Sequence, residues 1–136
     1  MKYIRLLIVA VLFIAVSLSI GNASETDTER VSPVVVKTSP ESGAKNIDPS
    51  TSEIRVTFDK EMTDKSWSWV QVAPENFPEL TGVPRYLSDG KTCVVDVKLA
   101  SGKTYIIWIN TQKFRNFKDK AGHPAEPYLL MFETRE

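Results

Sequence analysis

This 136-residue chain contains one cysteine and one histidine, the two side chains most used in zinc sites and in nucleophile–base pairs. Zinc needs three or four clustered Cys, His or carboxylate ligands, and Cys93 with His123 cannot supply them. A hydrolase needs a nucleophile beside a base. No Ser-containing nucleophile elbow accompanies His123, and Cys93 stands inside an apolar stretch. A single cysteine also forms no internal disulfide, so an apolar core must hold the fold. No charge of one sign dominates, with 17 Lys and Arg against 17 Asp and Glu, and the basic surplus of a nucleic-acid binder is missing. A Gly-rich phosphate loop is absent. Asp59, Glu61 and Asp64 lie close together in "FDKEMTD", but without the spacing and glycine turn of a calcium loop, and Lys60 and Lys65 intrude. Nothing marks a carboxylate pair for glycoside hydrolysis. The expectation is a protein without catalytic residues, metal or cofactor.

No apolar run is long enough to cross a bilayer comfortably. The longest, Leu6 to Ile20, has 15 residues, against the ~20 a spanning helix needs. It follows Lys2 and Arg5 and precedes the small residues Gly21 and Ala23. That is the layout of a secretory signal peptide at 1–23, with a periplasmic, secreted or cell-surface destination. Contact with a membrane is expected only if the segment stays uncleaved. Removing it leaves 15 basic and 17 acidic residues. A polar leader follows at 24–32, and 33–136 reads as one domain.

Sustained helical periodicity is also lacking, with helix-like spacing confined to Thr111–Pro127. What is present is alternation. In "EIRVTF", Ile54, Val56 and Phe58 oppose Glu53, Arg55 and Thr57, a half-buried strand. "RYLSDGKTCVVDVKL" reads as a hairpin turning at Asp89-Gly90, with Cys93, Val95, Val97 and Leu99 on one face. "PVVVKTSP", "WSWVQVA", "TYIIWIN" and "YLLMFET" supply further strands, and Pro74–Pro84 reads as a long loop. Phe58 and Phe132 are expected in the core, and Phe114 and Phe117 under the loop that carries them. Six or seven short strands with frequent turn residues predict an all-β fold, an antiparallel β-sandwich.

The turn and core residues also form a recognisable order. A strand ends in Ser39-Pro40 before a loop with Gly43, and another ends in Phe58 near Met62. A Leu-x-x-Gly-x-x-Tyr turn follows at Leu99, Gly102 and Tyr105. An Asp-x-x-Gly loop stands at Asp119 and Gly122, and a Phe-x-Thr strand closes the chain at Phe132 and Thr134. This order resembles the SbsA-like bacterial Ig-like domain family over about Pro33 to Thr134. His123 stands where the family usually has Asn, and Trp67–Tyr86 departs most from its pattern. The resemblance implies an Ig-like sandwich of about seven strands, of a kind commonly non-catalytic and found in secreted or surface proteins.

Two of the three tryptophans, Trp67 and Trp69, must share a face if their segment is a strand. Turning them inward would also turn Gln71 inward, and a buried amide needs partners. Turning them outward buries Val70 and Val72. Against the outward reading, Ig domains commonly bury a tryptophan on the third strand, and a bulge could separate the faces. The last two long strands carry a second apolar stripe: Ile106 and Trp108 in one, Leu129 and Met131 in the other. The outward arrangement predicts one contiguous patch of Trp67, Trp69, Ile106, Trp108, Leu129 and Met131. Such a patch would bind a protein partner or a second copy. In the alternative, the same tryptophans stack on a carbohydrate, with Asn110, Gln71 and Asp89 as hydrogen-bonding groups.

Overall fold

The computed structural model describes residues 31–136, so the expected signal peptide and most of the polar leader lie outside the described residues. The strands are β1 (Val35–Ser39), β2 (Glu53–Phe58), β3 (Trp69–Gln71), β4 (Glu79–Leu80), β5 (Arg85–Tyr86), β6 (Thr92–Lys98), β7 (Thr104–Ile109) and β8 (Tyr128–Glu133). One sheet runs β1-β2-β6-β4, with β5 also paired to β6, and the other runs β3-β7-β8. Every strand pairing is antiparallel. The expected sandwich is the observed fold.

The core follows from the alternation. Ile54, Val56 and Phe58 of β2 and Cys93, Val95 and Val97 of β6 turn one way. Tyr105, Ile107 and Ile109 of β7 and Leu130 and Phe132 of β8 meet them from the other sheet, all buried. Phe58 and Phe132 are each 1% exposed, as their alternation predicts. In the Leu-x-x-Gly-x-x-Tyr turn, Gly102 takes the left-handed φ of 62°. The Tyr105 hydroxyl accepts the Ala100 N–H at 2.7 Å, which locks the entry to β7. Thr134 Oγ1 closes the same corner by donating to the Ala100 carbonyl at 2.6 Å and accepting from the Lys103 N–H at 2.9 Å.

Three local expectations change. The Asp89-Gly90 turn is longer than a two-residue hairpin: the Leu87 N–H reaches the Thr92 carbonyl, and the Asp89 carboxylate accepts from Lys91 N, Thr92 N and the Thr92 hydroxyl. A side-chain-capped turn replaces the tight one. The segment read as a loop at Pro74–Pro84 contains a 3-10 turn at Pro74–Asn76 and the two-residue β4 on β6. The Thr111–Pro127 segment is irregular, in keeping with its lack of sustained periodicity, but only one of its two phenylalanines is tucked under the loop. Within it Phe117 is fully buried, whereas Phe114 is 46% exposed.

Asn110 fixes that long segment. It follows β7 with φ 59°, a left-handed conformation that Asn tolerates better than most residues. Its side chain is fully buried. Nδ2 donates to the Phe117 carbonyl at 2.8 Å and the Ala125 carbonyl at 3.1 Å, and Oδ1 accepts the Phe117 N–H at 3.0 Å. One amide thereby serves three backbone groups, of which the Phe117 N–H and the Ala125 carbonyl would otherwise be buried unpaired.

Candidate functional site

The stretch around the tryptophans begins at a left-handed Lys65, φ 56°, whose N–H is capped by the Asp64 carboxylate at 2.8 Å. Ser66 Oγ donates to the Asn116 carbonyl, and Ser68 Oγ accepts the Asn116 N–H at 3.0 Å. The start of β3 is thus sewn to the long loop. In register, Trp69 faces Ile109 and Gln71 faces Ile107, while Val70 faces Trp108. Residues directly opposite in an antiparallel pair share a face, so Trp69 lies on the inner side with Ile109. Its ring meets Phe117 edge-on, centroids 5.6 Å apart, and both Trp67 and Trp69 pack against the core.

This corrects the outward arrangement for two of its six residues. Gln71 misled because β3 is an edge strand. Its inward-pointing side chain has run past the packed region and is exposed, so no buried amide results. The other four residues do share the outer face. Trp108 stands opposite Leu129, and Ile106 opposite Met131. Leu129 is 39% exposed and Met131 42%, with Ile106 and Trp108 half-buried. Val70 joins them beside Trp108, a residue sequence reasoning assigned to the core. Its signal was the register with Trp108, which appears only once the strands are paired.

Along the free edge of β3 runs a groove of about 510 Å³. Its lining combines the Trp67–Gln71 stretch with Leu80 of β4, Pro84 just before β5, and Phe114 and Asn116 of the long loop. No residue lining this groove is charged.

The polar residues singled out from the sequence are engaged in structure. Asn110 is buried with its amide fully used, and the Asp89 carboxylate caps its own turn. Those two and Gln71 do not line one site, so the hydrogen-bonding set expected of a sugar platform does not assemble. Asp59 accepts the Val34 N–H at 2.9 Å, and Asp64 caps Lys65. Among the described residues no three of His, Cys, Asp and Glu are placed to hold a metal ion.

His123 is a loop residue with its side chain 38% exposed, and it is tied down at one end. Its N–H and Nδ1 reach the Asp119 carboxylate at 2.8 and 3.1 Å, with Asp119 only 4% exposed. Burial pushes the Asp119 carboxyl up, but the hydrogen bonds and charge of His123 and the Ala121 N–H outweigh it and hold it below the usual carboxylate range. Burial pushes the Cys93 thiol up to about 12 despite an interaction with the Trp69 side chain, and it makes Tyr86 a weaker acid too. A thiol so poorly ionised is a small apolar filler, not a nucleophile. Trp69 Nε1 is buried without a conventional hydrogen-bond acceptor, which leaves the Cys93 sulfur as a weak polar neighbour.

A family model for the bacterial Ig-like domain matches residues 29–134. No curated protein and no solved structure matches the chain significantly. Among the described residues no helix is long and apolar enough to cross a membrane.

Proposed function

The chain belongs to the bacterial Ig-like domain family, and from that premise we propose that it is an exported, non-catalytic module of the SbsA-like kind that binds another protein through the outer face of its three-stranded sheet. One observation carries this reading. On a face where a solvated antiparallel sheet would alternate to polar residues, Val70, Trp108 and Leu129 form one registered row, and Ile106 and Met131 a second. Isolated apolar residues on a surface are ordinary, whereas five in adjoining rows make a contact surface. Tryptophan and methionine are also enriched at the centres of protein interfaces. The large sheet offers no equivalent. Its outer face carries the ion pairs of Arg85 with Glu53 and Asp96, which suits solvent.

Trp108→Ala tests this reading. Trp108 lies outside the packed core cluster, so the variant is expected to keep the melting temperature of the wild type. An anchor of this kind typically contributes ~2 kcal/mol or more to binding, so retention of a crosslinked partner on the immobilised variant should fall by about 30-fold. A cooperative unfolding at much lower temperature would place Trp108 in the core and remove the surface. Undiminished capture by a folded variant would remove it as well.

A further inference from the structure

We infer that the free edge of β3 pairs antiparallel with β3 of a second copy of this chain, joining two three-stranded sheets into one six-stranded sheet. The first observation is the hydrogen-bond phase of the edge. The Asn110 N–H donates to the Ser68 carbonyl at 3.1 Å, which makes Ser68 and Asn110 a hydrogen-bonded pair across β3 and β7. Such pairs alternate along an antiparallel ladder. Val70 and Trp108 are then the next bonded pair, and the N–H and C=O groups of Trp69 and Gln71 point away from β7. Among the described residues no loop backbone meets them.

The second observation is that the other edges are protected. Along β8, the Gly43 N–H covers the Met131 carbonyl at 2.6 Å, the Glu133 N–H reaches the Ala44 carbonyl, and the Ile47 N–H reaches the Glu133 carbonyl. Edge strand β1 carries a register irregularity between Val35 and Lys37 and the charge of Lys37, and it lies between Pro33 and Pro40. These are the usual devices against edge pairing. β4 and β5 are two residues each. β3 has no bulge and no charge.

The absence of charge on both sides selects the occupant. Ser66 to Pro74 reads "SWSWVQVAP", nine residues without a charge in a chain that is 25% charged, and the groove beside it is uncharged too. A strand bearing Lys or Glu would bury that charge unpaired on entering, whereas β3 of a second copy brings none. A two-fold axis at Val70 sets Trp69 of each copy against Gln71 of the other, so every outward N–H meets a carbonyl. It also brings the two Val70 side chains together on the outer face. The contact is isologous and closes at two. A three-residue edge makes it weak, so it forms at high local concentration.

The test is sedimentation of the full chain over a concentration series, with amide hydrogen exchange read at Trp69 and Gln71. The expected result is a reversible monomer–dimer equilibrium in which exchange at those two amides slows as dimer accumulates. Gln71→Pro removes an outward N–H, and Gln71→Lys places a charge at the edge while keeping the backbone donors. Because the Gln71 side chain is exposed, both variants are expected to stay folded and to weaken association by about tenfold or more. Should the proline variant lose its fold, the lysine variant carries the test. Trp108→Ala is expected to dimerise like the wild type, which separates this contact from the outer-face reading. A wild type monomeric at every concentration overturns the inference. So does a dimer indifferent to Gln71→Lys, a dimer with unprotected Trp69 and Gln71 amides, or an edge occupied by a strand from another protein in preference to a second copy.

Discussion

Replacing Asn110 by alanine is expected to destabilise the domain by about 3 kcal/mol or more, since each buried backbone group left unpaired costs roughly 1–3 kcal/mol. Two are left, the Phe117 N–H and the Ala125 carbonyl, and the Phe117 carbonyl loses one of its two donors. The Ala125 N–H still reaches the Phe117 carbonyl at 2.8 Å, so the loss at that oxygen is partial, and the total stays below a simple sum. Alanine at φ 59° adds backbone strain that Asn bears more easily. For a domain of this size the shift corresponds to a melting temperature lower by roughly 15 °C. Asn110→Asp should do little better, because it keeps the acceptor but buries a charge and removes both donated bonds. Urea titration measures the effect. A change in midpoint with an unchanged slope marks a native-state loss, and a loss under ~1 kcal/mol, the lower limit for one orphaned group, would contradict the account.

Phe117→Ala is expected to cost about 3–5 kcal/mol, the usual range for truncating a buried aromatic. The ring is fully buried and joins two others, Phe58 at 5.2 Å between centroids and Trp69 at 5.6 Å. It therefore ties the long loop to the larger sheet and to the inner face of β3 together. Since Asn110 holds the backbone of the same residue, the two substitutions should not add. The double variant is expected to fall short of the sum by about 1 kcal/mol or more. Strict additivity in the double-mutant cycle would mean that the amide and the ring act on separate parts of the loop. Phe114→Ala is the control: its ring is 46% exposed, and the variant should stay within about 0.5 kcal/mol of the wild type.

These two residues also mark where sequence reading stopped. Long strands were legible because β2, β6, β7 and β8 each bury one face fully, and alternation reports that directly. The inner positions Phe58 and Phe132 followed from it. Asn110 did not, because its partners lie 7 and 15 residues along the chain. Nothing local distinguishes a buried amide that organises a loop from an exposed one at a strand end. Phe114 and Phe117 were likewise equivalent by spacing, and only the backbone grip of Asn110 sends one inward. β4 makes a two-residue contact, too short to show a period. At β3 the rule that a buried amide needs partners holds, but it decides the face of a central strand and not of an edge strand. An edge strand lets Trp69 be inside while Gln71, two residues on, is wet. The outer stripe of β7 and β8 was legible for the opposite reason: both strands are long, and their second face is apolar where solvent would select polar residues.

The central claim is that the outer face of the β3-β7-β8 sheet is covered by a protein when the chain is in place. Hydroxyl-radical footprinting tests it most directly, comparing purified chain with intact cells that express it. Trp108, Leu129 and Met131 report the face, and Val36, 60% exposed on the opposite sheet, is the reference. The account predicts ready labelling of all four in the purified chain, and selective protection of Trp108, Leu129 and Met131 in cells while Val36 labels as before. Equal labelling of the four positions in both settings would contradict it.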